Sequence, residues 1–211
     1  MHYRKFAKTG VRVSPLCLGA MMLGKWGNAS HDDSIRIIHR ALDAGLNFID
    51  TADVYSAGES EEIVGKALAG ARRKQVFLMT KLCSHRGERW SKKECFEILD
   101  ESLKRLQTDY LDLYQVHWPD RATNFFGRLG YQHVEQHDTV PIDETLGVLS
   151  ELVRAGKVRH VGVSNETPWG LHQYLQLAVP ECTHHGVLLV ALHPAVQQRD
   201  LVLGKHARQL P

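Results

Sequence analysis

The order of apolar and amphipathic segments is the feature that most constrains the fold of this chain. From Arg12 to about Ala178, short β-branched runs alternate with amphipathic stretches of period near 3.6. This pattern predicts repeated βα units. The last four of the five runs are almost continuously apolar, as parallel strands covered on both faces are. The predicted strands are Ser14–Gly19, Leu46–Asp50, Val76–Lys81, Tyr110–His117 and Lys157–Val163.

Helix start and stop signals lie between these strands. Each predicted helix begins at a capping residue or an acidic first turn, and two end at a glycine. The signals are Ser30 to Gly45, Ser60, Ser91 with Glu94, Asp143 to Gly156, and Thr167-Pro168 for a last helix that reaches Ala178. Between Pro119 and Pro141 the periodicity disappears, which predicts a long loop of the kind that forms a lid or a pocket wall.

Polar residues follow the apolar strands at their carboxyl ends. They are Asp50, Lys81, His117 and the pair Ser164 and Asn165. In a (β/α)8 barrel all these ends meet at one rim, where the active site is built. We therefore expect an α/β fold of the (β/α)8 TIM-barrel type, incomplete, with about five to six βα units, and a shared site at its rim.

Tyr55 lies five residues beyond Asp50, within reach of the same rim. A phenol has an ordinary pKa of about 10, and a nearby ammonium lowers that value by favouring the phenolate. Lys81 is the candidate ammonium, and Asp50 would keep it charged and in place. His117 could hydrogen-bond a substrate oxygen and orient it. Such a set can protonate an oxygen that receives electrons, as carbonyl reduction requires.

Each of these residues also has a purely structural interpretation. Asp50 alone could cap a turn, Lys81 could be a surface lysine, His117 could be a core histidine and Tyr55 a packed loop aromatic. Their joint occurrence at equivalent positions of successive units favours the functional interpretation. A metal-dependent hydrolase would need two or three histidines at strand ends, and only His117 ends a predicted strand, so no metal site is predicted.

Composition bounds the partners and the compartment. Lys and Arg total 26 against 24 for Asp and Glu, so the net charge is +2, and no run of like charges indicates nucleic acid or a membrane surface. The four cysteines are scattered and the first residues lack the apolar core of a signal peptide. We expect a cytoplasmic protein that acts on a small molecule, with its oligomeric state left open.

Five segments resemble motifs of the aldo-keto reductase family, in the same order. They are Gly10–Gly19, Ala44–Tyr55, Thr80-Lys81, Ser102–Trp118 and Gly156–Asn165. The resemblance covers about residues 3–178, and the part from about Ser91 to Ala178 is similar to the bacterial Tas-type subgroup. It implies NADPH-dependent reduction of an aldehyde or ketone to an alcohol by direct hydride transfer.

The family's functional residues carry over to matching positions. Tyr55 would be the proton donor, assisted by Lys81, Asp50 and His117. The resemblance further implies cofactor contacts at Gly19, Ala20, Met21, Asp50, Ser164 and Asn165. It places the substrate pocket at Trp26 and Trp118.

The family pattern weakens after Ala178, so we expect two parts: residues 1–178 as the N-terminal part of a reductase barrel, and 179–211 as a divergent or non-native tail. A barrel of this type takes about 250 residues, and the expectation is therefore a C-terminally truncated chain. Residues 179–211 could instead be a divergent sixth unit with a disordered end. The alternative function is an inactive fragment or a non-catalytic binding protein, like the potassium-channel β subunits of the same family.

Overall fold

A computed structural model describes residues 1–6, 9–82, 92–120, 139–185 and 189–192. The strands are β1 (Arg4–Lys5), β2 (Arg12–Val13), β3 (Leu18–Gly19), β4 (Phe48–Asp50), β5 (Phe77–Leu82), β6 (Leu111–Val116), β7 (Val158–Ser164) and β8 (Leu189–Leu192). The α-helices are α1 (His31–Asp43), α2 (Glu59–Ala67), α3 (Lys92–Arg105), α4 (Ile142–Arg154) and α5 (Pro168–His185). Two 3₁₀ turns, Tyr55–Gly58 and Gly70–Gln75, flank α2.

Strands β3 to β8 form one sheet in the order of the sequence, and every neighbouring pair is parallel. A helix stands between each strand and the next, as parallel connections require. Sequential parallel order with intervening helices is the arrangement of a (β/α) barrel. Six such strands lie among the described residues.

The first sheet strand is shorter than the predicted Ser14–Gly19. Of that range, only Leu18 and Gly19 pair with β4. Arg12 and Val13, just before it, pair in antiparallel with β1, which the sequence did not predict. At Ser14 side chains replace the ladder: its amide donates to Asn47 Oδ1 at 2.7 Å, and the Asn47 amide donates to Ser14 Oγ at 3.2 Å. The other four predicted strands match β4 to β7 within one or two residues at each end.

Two helix predictions can be checked at the level of the cap. Ser30 Oγ accepts from the Asp33 amide at the start of α1, and Thr167 Oγ1 accepts from the Gly170 amide at the start of α5. Helices α2 and α4 begin one residue before the predicted Ser60 and Asp143. Ser91 and most of the predicted loop, residues 121–138, lie outside the described residues.

The predicted end of the last helix at Ala178 is wrong. Helix α5 continues to His185, and β8 pairs in parallel with β7 beyond it. The boundary proposed at residue 178 therefore falls inside a helix, and the nature of residues 179–211 stays a prediction. No helix in the described part of the chain is long and apolar enough to cross a membrane.

The sheet has two different faces because side chains alternate along each strand. The outer face packs against the helices and contains the larger apolar core. The inner face holds a smaller cluster at the amino ends of the strands, formed by Val13, Phe48, Phe77, Met79 and Leu113. Residues two or four positions further toward the carboxyl ends of the same strands also lie on the inner face. Polar side chains there form a layer next to the apolar cluster.

A charged clamp, formed by Arg73, Asp112 and Arg159, joins β6 and β7 to the 3₁₀ turn before β5. Arg73 and Arg159 both pair with Asp112, at 3.0 and 2.8 Å, and the guanidinium groups lie 4.0 and 4.1 Å from the centre of the Tyr110 ring. Asp112 also accepts from the amide of Leu78 at 3.0 Å. Both Arg73 and Asp112 are buried, so each charge depends on the other.

We expect Asp112→Ala to lower the free energy of unfolding by about 3–5 kcal/mol, because it leaves the buried Arg73 without its carboxylate. Asp100→Ala is the matched control, since Asp100 pairs with Lys157 at the surface and such pairs contribute about 0–1 kcal/mol. Urea unfolding of the two variants measures the difference. Equal losses would contradict the assignment of the clamp.

Candidate active site

The buried ammonium of Lys81 is the centre of the polar cluster next to the apolar cluster. Lys81 is only 5% exposed. Its Nζ donates to the carbonyl oxygen of Thr51 at 2.9 Å and to the Tyr55 hydroxyl oxygen at 3.2 Å, and it forms an ion pair with Asp50. Three acceptors therefore satisfy the three donors of the ammonium.

Asp50 and Lys81 compensate for each other's burial. Loss of hydration raises the pKa of the Asp50 carboxyl above its ordinary value of 3.8, and the charge and hydrogen bond of Lys81 oppose that rise. The backbone of Asp50 is held as well, because its carbonyl oxygen accepts from the Ala20 amide at 2.8 Å. The carboxylate therefore has a fixed position beside the ammonium.

His117 follows β6 and lies against Tyr55. The imidazole and phenol rings meet edge to face, with centroids 5.6 Å apart and an interplanar angle of 83°. His117 is 6% exposed, and its amide donates to the Leu82 carbonyl oxygen at 2.9 Å, which extends the pairing of β5 and β6. The structure thus brings together Asp50, Tyr55, Lys81 and His117, whose catalytic roles remain predictions.

The loop after β3 borders this cluster. Ala20 is fully buried, whereas nearly half of the Met21 surface is exposed. Gly19 has open space where a Cβ would stand. The hydroxyl of Ser60 donates to the Ala20 carbonyl oxygen at 2.8 Å and lies 2.9 Å from Thr51 Oγ1, so α2 fixes this loop against β4.

Ser164 and Asn165 occupy the equivalent position after β7. Asn165 adopts φ 53°, a left-handed conformation that asparagine tolerates better than most residues. Its side-chain amide donates to the His117 carbonyl oxygen at 2.8 Å and to Ser164 Oγ at 3.2 Å. These bonds connect the β7 end directly to the His117 segment.

The two predicted pocket tryptophans differ in accessibility. Trp118 is 7% exposed and its ring centroid lies 6.5 Å from that of His117. Trp26 is 54% exposed, and its ring centroid lies 6.1 Å from that of Tyr55. Trp26 therefore offers the larger surface to a ligand near the phenol.

Sequence reasoning missed two contributors to the cluster. Thr51 binds Lys81 through its backbone oxygen, for which no residue type is a signal. Cys17 precedes β3, and loss of hydration at its thiol together with the charge of the nearby Asp50 raises the pKa of that thiol to about 12. At neutral pH this thiol is protonated and is a poor nucleophile.

The residues at the β7 end fit the carboxamide of a nicotinamide ring. Asn165 uses its NH2 group on His117 and Ser164, which leaves its side-chain oxygen without a donor among the described residues. The Ser164 hydroxyl accepts one of these bonds and can still donate its own proton. Across the described ranges, no three His, Cys, Asp or Glu side chains are grouped so that they could hold a metal ion.

We expect Lys81→Met to raise the pKa of Asp50 further, because Lys81 is the group that opposes the effect of burial. The pKa of Asp50 is higher in the folded state than in the unfolded chain. Its contribution to the free energy of unfolding therefore falls as pH rises from the ordinary carboxyl pKa through the folded-state pKa. That loss grows in the variant. Carbon-13 NMR titration of the Asp50 carboxyl measures the pKa, with Lys25→Met as the control. An unchanged or lower value would contradict the pairing.

Comparison with known proteins agrees with the fold and the motifs. The sequence model of the Aldo/keto reductase family matches residues 15–195. Protein tas of Escherichia coli is 40% identical over 195 residues, which are 84% of this chain and 56% of that protein. Aldo-keto reductase YhdN of Bacillus subtilis is 42% identical over 177 residues, which are 78% of this chain and 47% of that protein.

A solved structure gives the same result at the level of the fold. The aldo-keto reductase AKR11C1 from Bacillus halodurans superimposes with a TM-score of 0.66 at 31% identity, over 90% of this chain and 65% of that one. The predicted α/β fold of the (β/α)8 TIM-barrel type and the resemblance to the Tas-type subgroup are thereby confirmed. The chain spans about half the length of the curated relatives it matches. By its sequence match, its sheet order and this likeness, the chain is a member of the aldo/keto reductase family.

Proposed function

We propose that this chain reduces an aldehyde or ketone to an alcohol, with NADPH as the hydride donor. The observation that supports the proposal best is the contact of a buried ammonium, Lys81, with the phenol oxygen of Tyr55 at 3.2 Å. Packing of the Tyr55 ring alone does not explain why a charged hydrogen-bond donor lies at its hydroxyl. A proton-donating role does explain it, because a positive charge beside the hydroxyl stabilises the phenolate that is left behind.

In the proposed reaction, the carbonyl carbon gains a hydride and the carbonyl oxygen gains the proton of the Tyr55 hydroxyl. The O–H bond of the phenol breaks as the O–H bond of the alcohol forms. The negative charge left on the phenol oxygen faces Lys81 Nζ, which stabilises it. The ion pair with Asp50 fixes the ammonium in place, so it requires no reorganisation during the transfer.

His117 and Trp26 orient the substrate in this proposal. His117 flanks the phenol ring on one side and can donate a hydrogen bond to the carbonyl oxygen. Trp26 flanks the phenol with a largely exposed ring, which suits the apolar part of a substrate. The carbonyl oxygen would then lie near the Tyr55 hydroxyl, and the rest of the molecule would pack on Trp26.

The cofactor supplies the hydride when bound. Ser164 and Asn165 would hold its carboxamide through the free hydrogen-bonding capacity described above. The segment Gly19, Ala20 and Met21 would border the nicotinamide, since Gly19 leaves open space beside Asp50. We further propose that the protein works in the cytoplasm, in agreement with its unremarkable charge and scattered cysteines.

We expect Tyr55→Phe to lower kcat for an aromatic aldehyde by about 10²–10⁴, because the variant keeps the ring and loses the proton. Its dissociation constant for NADPH is expected to stay within about twofold, since no cofactor contact is assigned to the phenol. Loss of absorbance by the reduced nicotinamide measures turnover. Tyr3→Phe is the matched control, because the Tyr3 hydroxyl binds Gly45 far from the site. A Tyr55→Phe rate equal to that of the control would remove Tyr55 from the mechanism.

We expect Ser164→Ala to weaken NADPH binding by about three- to tenfold, which corresponds to one lost hydrogen bond of about 0.5–1.5 kcal/mol. Quenching of protein fluorescence by NADPH, repeated with NADH, measures the affinity and the cofactor preference. Ser150→Ala on α4 is the control. No quenching by either nucleotide in the unmodified chain would refute the cofactor proposal.

A further inference from the structure

Trp26 lies at the tip of a closed loop that precedes α1. The Gly24 amide donates to the Asn28 carbonyl oxygen at 2.9 Å, and the Asn28 amide donates to the Met22 carbonyl oxygen at 2.8 Å. These bonds close the loop at its base. The Gly27 amide donates to the Gly24 carbonyl oxygen at 2.9 Å, which makes the tip a tight turn, but these internal bonds do not tie the tip to another segment of the chain. Loop tips that expose their side chains are usually mobile unless other contacts hold them.

Two side chains from the segment after Tyr55 hold this tip. The Lys25 amide donates to Glu59 Oε2 at 2.9 Å, and the Trp26 amide donates to Ser56 Oγ at 3.1 Å. The two acceptors thus bind consecutive backbone amides. One of the bonds is charge-assisted, which makes it stronger than a bond between neutral groups.

Gly24 permits this docking. Its φ is +108°, a conformation that L side chains rarely adopt. A Cβ there would stand 2.9 Å from Glu59 Oε2 and 3.0 Å from Ser56 Cβ. The loop therefore lies directly on its two acceptors, with no room for a side chain between them.

Glu59 is itself fixed from the opposite side. Its Oε1 lies 2.8 Å from His31 Nε2, and His31 Nδ1 lies 3.4 Å from the ammonium of Lys66. These distances fit an imidazole that donates from Nε2 to the carboxylate and accepts at Nδ1. The first residues of α1 and α2 thereby meet across the carboxylate.

We propose that Glu59 and Ser56 are positioning residues that hold Trp26 beside the Tyr55 phenol and thereby select carbonyl compounds with a large apolar group. The selectivity rests on the proposed reduction, whereas the anchoring does not. Ser56 and Glu59 follow Tyr55 by one and four residues, so one segment carries both the acid and the support of the facing ring. The distance between the Trp26 and Tyr55 rings is therefore determined by this one segment.

Amide hydrogen exchange followed by NMR tests the anchoring in the unliganded protein. In Glu59→Ala, exchange of the Lys25 and Trp26 amides is expected to accelerate at least about tenfold, because the acceptor of one amide is lost and the loop tip opens. Glu62→Ala removes the same charge from an exposed position on the same helix and is the matched control. Equal exchange rates in the two variants would overturn the proposal, whatever the activity.

Kinetics with two aldehydes test the selectivity. In Glu59→Ala, KM for a nitrobenzaldehyde is expected to rise about fivefold with kcat within about twofold, and KM for methylglyoxal is expected to stay unchanged, because only the larger substrate reaches Trp26. Equal changes of KM for both substrates would overturn the selectivity.

Glu59→Gln keeps an oxygen that can accept from Lys25 and guards against misfolding of the alanine variant. It is expected to restore most of the exchange protection and the lower KM. No rescue in a folded Glu59→Gln protein would contradict the role of the Lys25 bond. Absence of turnover in the unmodified chain would refute the proposed reduction and with it the selectivity, while the exchange result would still decide the anchoring.

Discussion

A single buried ammonium determines how the polar rim of this sheet is built. Lys81 cannot be desolvated without acceptors for its three protons, and the described residues supply a carboxylate, a backbone carbonyl and a phenol oxygen. All three acceptors come from β4 and the residues directly after it. The pairing of β4 with β5 must therefore keep its register, since a shift of one residue would turn Lys81 toward the helices.

The outer face of β5 fixes the same point from the other side. Thr80 precedes Lys81 and points toward the helices, where its hydroxyl donates to Glu61 Oε1 at 2.6 Å. Glu61 is fully buried and pairs with Arg105 at 2.7 Å. Because Glu61 lies in the first turn of α2, the helix that follows the Tyr55 turn is tied to the strand that carries the ammonium. The Lys81–Asp50 and Arg105–Glu61 ion pairs thus hold the segment that carries Tyr55 between them.

The sequence predicts this site where its chemistry follows from strand periodicity, and fails where tertiary contacts replace local rules. Asp50 and Lys81 are foreseeable because a polar residue that ends an apolar parallel strand lies at the carboxyl rim. The short β3 was not foreseeable, since it depends on Asn47 taking over the backbone bonds of Ser14. Helix α5 runs through Pro180, a residue that ordinarily predicts a helix end.

The turn after Tyr55 is the clearest case of a local backbone preference overridden by tertiary contacts. Ser56, Ala57 and Gly58 all have positive φ, and only the glycine adopts it without strain. Contacts hold both ends of the turn: Ser56 Oγ accepts from the Trp26 amide, and a Cβ at Gly58 would stand 2.8 Å from Arg105 Cδ. Strain of this kind persists only when the surroundings over-determine it. The position of the Tyr55 phenol therefore depends on the first loop and on α3 together.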